Sequence, residues 1–120
     1  IDDAYNANPQ GCAMAIEVLS KMPGKKIVIT SGMIELGSKS FEENKRLGIE
    51  IAEAKIDEVI LIGKNQTEPI YEGLKEAKYN EKKIHVLNNV MDAFPLIRSL
   101  KEDDTYVLLQ SDLPDTFNEK

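Results

Sequence analysis

Residues able to do chemistry are gathered in a few short polar segments of this sequence. The first is Asp2-Asp3-Ala4-Tyr5-Asn6-Ala7-Asn8-Pro9, which sets two carboxylates, a phenol and two carboxamides side by side. The second runs from Ser31 to Ser40 and holds Glu35 between Gly32 and Gly37. Gly63 to Gln66 and Gln110 to Asp115 complete the set. The inventory excludes much. The one histidine, His85, stands between Ile84 and Val86 and reads as a structural or half-exposed residue, not a catalyst. The one cysteine, Cys12, cannot form an internal disulfide and reads as a buried small hydrophobe. His and Cys are too few for a metal centre, and Asp2 and Asp3 read as an acidic pair at a loop mouth, with no metal ligand expected in the chain. No G-x-G-x-x-G, G-x-x-x-x-G-K-[ST] or G-x-S-x-G occurs. A nicotinamide enzyme, an autonomous phosphate-loop enzyme and a serine hydrolase are therefore set aside.

Short β-branched runs alternate with helical patterns and must position those segments. Ile1-Asp2-Asp3 reads as the clipped end of a strand. Asn8 is placed to cap a helix with Pro9 at its first position, where the missing N–H costs nothing. Ala13, Ile16, Leu19 and Met22 form its inward stripe, and Pro23-Gly24 ends it. Strands are expected at 25–30, 57–62, 83–87 and 105–109, with helices over 41–55, 67–77 and 88–100 between them. Phe41, Leu47, Ile51 and Ala54 are expected to face the sheet, Gly48 to allow close helix–sheet approach, and Pro95 to kink the last helix. Strands with so few polar positions belong in a sheet covered on both faces. The order predicts an α/β fold, a Rossmann-like three-layer, doubly wound domain with a mostly parallel sheet. In such sheets ligands bind outside the carboxyl ends of the strands, which is where all four polar segments fall.

Composition sets outer bounds. The 120 residues suit one domain, and 42% hydrophobic with 30% charged residues suits a folded, water-exposed one. Fifteen Lys and Arg against 21 Asp and Glu give a formal charge of −6, which supports neither a nucleic-acid nor an acidic-membrane partner. The apolar runs are too short to cross a bilayer, and a cytoplasmic location is expected. The chain opens on Ile1 without an initiator methionine and reads as a fragment of something longer.

The segment Asp2-Asp3-Ala4-Tyr5-Asn6-Ala7-Asn8-Pro9 resembles the start of the C-terminal domain of the Mur ligase family, above all the branch that adds D-alanyl-D-alanine to a muramoyl peptide. Gly32-Met33-Ile34-Glu35-Leu36-Gly37, after a strand and before a helix, is similar to that branch's Met…Glu-Leu-Gly loop. The likeness extends from Ile1 to about Leu109.

The resemblance implies a three-domain enzyme of cell-wall (peptidoglycan) synthesis, of which residues 1–120 are the closing C-terminal part. It implies use of ATP and Mg²⁺ in the full-length ligase, with a missing central ATPase domain in cis and none of these ligands held tightly by the fragment. A peptide carboxylate would be activated as an acyl phosphate and attacked by an amino acid or dipeptide, while the isolated fragment would be inactive. Asp3, Tyr5, Asn6 and Asn8 would fall on the nucleotide side, Asp3 by accepting loop N–H groups. Glu35, with Gly32 and Gly37 shaping its loop, would meet the incoming amine, whose ammonium a carboxylate can hold. Lys39 and Lys45 read as surface charge.

Three departures stand out. Gly32 is followed directly by Met33, where that branch usually has an Asp between. Asn44 stands where His is usual. Gln110-Ser111-Asp112-Leu113-Pro114-Asp115 replaces a Lys-Gly-Ser-Arg stretch. An acidic stretch suits a less anionic or a cationic partner, so another branch of the family fits as well. A non-catalytic binding module that kept the fold is the alternative from a different functional class.

Overall fold

Strands that are apolar at nearly every position need cover on both faces. The computed structural model describes residues 9–33 and 37–110. Its strands are β1 (Lys25–Thr30), β2 (Glu58–Ile62), β3 (Ile84–Leu87) and β4 (Thr105–Gln110). They form one four-stranded sheet in the order β3-β2-β1-β4, and every pairing is parallel. The helices are α1 (Pro9–Ser20), α2 (Ser40–Glu53), α3 (Glu68–Glu76) and α4 (Ala93–Leu100).

Side chains alternate across a strand, so each strand feeds two cores. Val28, Val59, Leu61 and Leu108 pack with Ile16 and Leu19 of α1, Leu47 and Ile51 of α2, and Ile70 and Leu74 of α3. Ile27, Ile29, Ile60 and Ile62 pack with Val90 and with Ala93, Leu96 and Ile97 of α4. Three helices thus share one face and α4 covers the other. β2 is buried at every position, and β3 at the sheet edge is half-exposed. The expected alternation of strands and helices is observed, with boundaries within a few residues of those predicted. No helix among the described residues is long and apolar enough to cross a membrane.

Four local expectations are corrected. The buried stripe of α1 is Cys12, Ala15, Ile16 and Leu19, while Ala13 is only half-buried. Phe41 does not face the sheet: it lies in the first turn of α2 and is 53% exposed. Gly48 serves a helix–helix contact, not a helix–sheet one. A β-carbon there would collide with the Ile70 carbonyl of α3, and one at Gly73 with the Lys45 carbonyl of α2, so the two backbones touch at paired glycines. Pro95 produces no mid-helix kink, because the turn Val90–Asp92 is a separate 3₁₀ segment and α4 begins only at Ala93. That puts Pro95 in the first helical turn, where a missing N–H leaves no bond unmade. Asn89 opens the 3₁₀ turn, its side chain accepting from the Met91 N–H at 2.8 Å. The expected strand end at Ile1–Asp3, the cap at Asn8 and the tail from Ser111 lie outside the described residues.

Candidate functional site

The parallel register brings the carboxyl ends of β1, β2 and β4 out together. Thr30 stands beside Leu61 on one side and Gln110 on the other. The chain then leaves β1 through Ser31, Gly32 and Met33, all three buried. Ser31 N–H continues the ladder to the Gln110 carbonyl at 3.1 Å. The Thr30 hydroxyl oxygen accepts from Gly32 N–H at 3.0 Å. Gly32 has φ +86°, a left-handed conformation that residues with a β-carbon rarely adopt, and so turns the loop.

Two carboxamides fix the exit loop. Asn44 of α2 is buried; its Oδ1 accepts from Met33 N–H at 2.7 Å. Its Nδ2 donates to the Met33 carbonyl at 3.0 Å and to the Ser40 carbonyl at 2.8 Å. From the next loop, Gln66 Nε2 donates to the Ser31 carbonyl at 2.8 Å. That loop is itself closed by the Thr67 hydroxyl, which donates to the Gly63 carbonyl at 2.7 Å. A groove of about 580 Å³ lies between the two loops, lined by Met33, Gly37, Ser40, Phe41, Asn65 and Gln66 among others. α1 starts at the same rim: Gln110 Nε2 lies 3.5 Å from the Cys12 carbonyl in its first turn.

Thr30, Ser31, Asn44, Gln66, Thr67 and Gln110 are all uncharged. This part of the rim supplies shape and uncharged hydrogen-bonding groups. Among the described residues Ser31 Oγ and Gln110 Oε1 are buried and find no hydrogen-bond partner.

Residues 1–111 match the family described as Mur ligase, glutamate ligase domain. The chain belongs to the Mur ligase family. Within it, this Mur ligase domain is similar to the UDP-N-acetylmuramoyl-tripeptide–D-alanyl-D-alanine ligase of Escherichia coli, at 38% identity over 64 residues, 53% of this chain and 14% of that protein. The Bacillus subtilis protein of the same name is also 38% identical, over 66 residues, again 53% of this chain and 14% of that protein. A crystal structure of MurF from Acinetobacter baumannii superposes with TM-score 0.71 and 27% identity, over 91% of this chain and 24% of that one. The Thermotoga maritima MurF ligase, solved in complex with ADP, superposes with TM-score 0.67 and 27% identity, over 91% of this chain and 23% of that one. The chain thus spans about a seventh of the two curated relatives' length. These likenesses favour the D-alanyl-D-alanine-adding branch over the other branches that the sequence departures had left open.

Against this Mur ligase frame, the predicted site residues divide. Gly32 and Gly37 bracket the expected loop, and both adopt left-handed φ, +86° and +59°. Gly32 is buried at the rim, and Gly37 is exposed beside the groove. Asp3, Tyr5, Asn6, Asn8 and Glu35 lie outside the described residues. His85 is half-buried at the opposite end of the sheet, its Nε2 2.9 Å from Glu58 Oε1, which fits a structural role. Lys45 pairs with Glu76 at 3.0 Å on the surface. Sequence reasoning missed the work of Asn44, Gln66 and Thr67. For Asn44 a signal existed: positions 44, 47 and 51 make one helical stripe, and a carboxamide among buried apolar positions needs partners.

Proposed function

We propose that this chain is the C-terminal closing domain of a three-domain, ATP- and Mg²⁺-dependent carboxylate–amine ligase of peptidoglycan precursor synthesis, acting in the cytoplasm. Its fold is the Rossmann-like, doubly wound three-layer arrangement. α2 and α3 carry the chain from β1 to β3 along one face, and α4 returns it across the other to β4. One observation carries the functional reading: the exit loop of β1, the loop after β2 and the first turn of α1 share one rim of the sheet. Segment 3–8 precedes α1 in sequence and segment 34–36 follows Met33, which is why this reading assigns both to that rim.

ATP, when bound in the complete enzyme, supplies the phosphoryl group that turns the peptide carboxylate into an acyl phosphate. This chain's part is to cover and orient. Asp3, Tyr5, Asn6 and Asn8 present the nucleotide side, the two Asn with donors and acceptors suited to ribose or base edges. Glu35, held between Gly32 and Gly37, faces the ammonium of the incoming dipeptide and keeps it at the reacting carbon. Closure of the rim excludes water from an anhydride that would otherwise hydrolyse. Neutral hydrogen bonding in the described part of the rim fits such a lid, with the charge-bearing phosphate site on the missing central domain.

The test is ligation of UDP-N-acetylmuramoyl-tripeptide to D-alanyl-D-alanine, followed as product and as dipeptide-dependent phosphate release. The complete protein should form product, a version lacking residues 1–120 should form none, and the chain alone should be inactive. Product at an unchanged rate from the truncated protein would refute the proposal.

A further inference from the structure

We propose that the groove between the start of α3 and the edge strand β3 binds a short peptide in its zwitterionic form, with Lys64 taking the carboxylate and Glu68 the ammonium group. This site goes beyond the ligase reading and does not depend on it. The groove measures about 610 Å³ and is lined by Leu61, Lys64, Glu68, Tyr71, Val86 and Asn88 among others. Small ligands occupy grooves of this size. It shares no lining residue with the groove at Met33 and Gln66.

Its apolar surface follows from the sheet register. Leu61 of β2 stands opposite Val86 of β3, so both side chains lie on the face that carries α3. α3 rests on α2 backbone to backbone, at Gly48 and Gly73. Val86 on the edge strand is left 41% exposed, beside a fully buried Leu61. The Tyr71 ring adds further apolar surface, pinned by the hydrogen bond that its hydroxyl donates to Glu81 Oε1 at 2.7 Å.

The polar groups around that surface are uncommitted among the described residues. Lys64 and Glu68 stand four positions apart, yet they form no ion pair with each other or with any other described residue. Neighbouring charges are engaged, Glu81 with Tyr71 and Lys83 with Glu58 at 3.2 Å. The Asn89 carboxamide is spent on Met91 N–H, whereas that of Asn88 bonds to no described residue. A cation, an anion and a carboxamide about one apolar floor match the carboxylate, the ammonium and the peptide bond of a dipeptide with small apolar side chains. A polyanion would meet Glu68 as well as Lys64, and a lone cation would meet Lys64; a zwitterion uses both.

Methyl NMR of the complete protein, labelled at Leu, Val and Met, tests the site without turnover. The probes are D-alanyl-D-alanine, its N-acetyl form, its C-terminal amide and free D-alanine. The Leu61 and Val86 methyl signals should shift and saturate with the free dipeptide. Blocking either end should weaken binding about fivefold, as for loss of one good ion pair at an exposed site. Free alanine, which has no peptide bond to offer Asn88, should bind more weakly than the dipeptide. Lys64→Ala should erase the difference between the dipeptide and its amide, and Glu68→Gln that between the dipeptide and its N-acetyl form. Both positions are exposed, so neither variant puts folding at risk.

Shifts confined to Met33, with Leu61 and Val86 unmoved, would overturn the site. Equal affinity for the free and blocked dipeptides would overturn it too, since a bare apolar patch would behave in that way. Alanine binding as tightly as the dipeptide would overturn the assignment to a peptide. A protein that ligates but shows no shift at Leu61 and Val86 would overturn this site alone, and one that binds there but never ligates would overturn the ligase reading alone.

Discussion

The two ends of the sheet are held by opposite means. At the carboxyl end, described contacts are short hydrogen bonds between neutral groups and backbone, centred on Asn44, Gln66 and Thr30. At the amino end, a buried carboxylate collects two ammonium groups and an imidazole. Glu58, its side chain 3% exposed, meets Lys83 at 3.2 Å, His85 at 2.9 Å and Lys25 at 3.7 Å. Lys25 also donates to the Leu100 carbonyl at 2.9 Å, which ties β1 and β2 to the end of α4. The contrast follows from what each end must do. Ion pairs join strands strongly but set no loop direction, whereas a carboxamide bonded to one peptide unit does. Charge therefore anchors the end where only the fold is at stake, and neutral, directional bonds shape the end to which the proposed function assigns the ligand.

Removing the anchor should have the largest effect on stability. Glu58→Ala strands Lys83, His85 and Lys25 without their common partner and should cost about 3 kcal/mol in urea unfolding of the chain. The same group gives the contrast a pH signature. Burial pushes the Glu58 carboxyl up, but hydrogen bonds from His85 and Lys83 and the charges of Lys83 and Lys25 outweigh it and hold it below the ordinary carboxylate value. A group depressed in the folded state stabilises fully above its unfolded pKa, about 4.3, and loses that stabilisation as pH falls through its folded value. Wild-type stability should therefore drop on acidification below about pH 5, and Glu58→Gln should show a shallower drop over the same range. Equal acid slopes would remove Glu58 from the account.

At the other end the two bracketing glycines should separate. Gly32→Ala meets both an unfavourable φ and the Asn44 carboxamide and should cost about 2 kcal/mol. Gly37→Ala has the same φ problem but nothing within 4 Å of the added carbon, so it should cost only about 1 kcal/mol. The smallest effect is expected at Phe41, which is 53% exposed over the groove; Phe41→Ser should change stability by less than about 0.5 kcal/mol. A loss of 2 kcal/mol or more there would mean that Phe41 packs in the core after all.

Much of this was legible in the sequence, for reasons that differ by region. Runs such as Ile27-Val28-Ile29 and Val59-Ile60-Leu61 can only be strands buried on both faces, and the intervening stripes fix the helices. The resemblance identified the family from two loops, of which the structure describes the glycine ends of one. Less legible was whatever depends on pairing across elements. Phe41 looked like a core residue because it opens an apolar helical pattern, yet it lines a groove at the start of α2 and is 53% exposed. Gly48 read as a spacer between helix and sheet, and only the packing of α2 on α3 sets it against the Ile70 carbonyl. Nothing in the sequence singled out Glu58, and only the parallel register with β3 brings Lys83 and His85 to it. Asn44 was visible as a departure from the family, but its task depends on where Met33 turns.

Hydrogen exchange on the complete ligase, with and without a non-hydrolysable ATP analogue and the dipeptide, tests the division between the two ends most directly. Ligands should slow exchange at residues 30–33 and 63–67 and leave residues 25–26 and 102–104 unchanged. Protection confined to residues 25–26 and 102–104, or no change at either end, would contradict the assignment of the carboxyl rim as the ligand-facing surface.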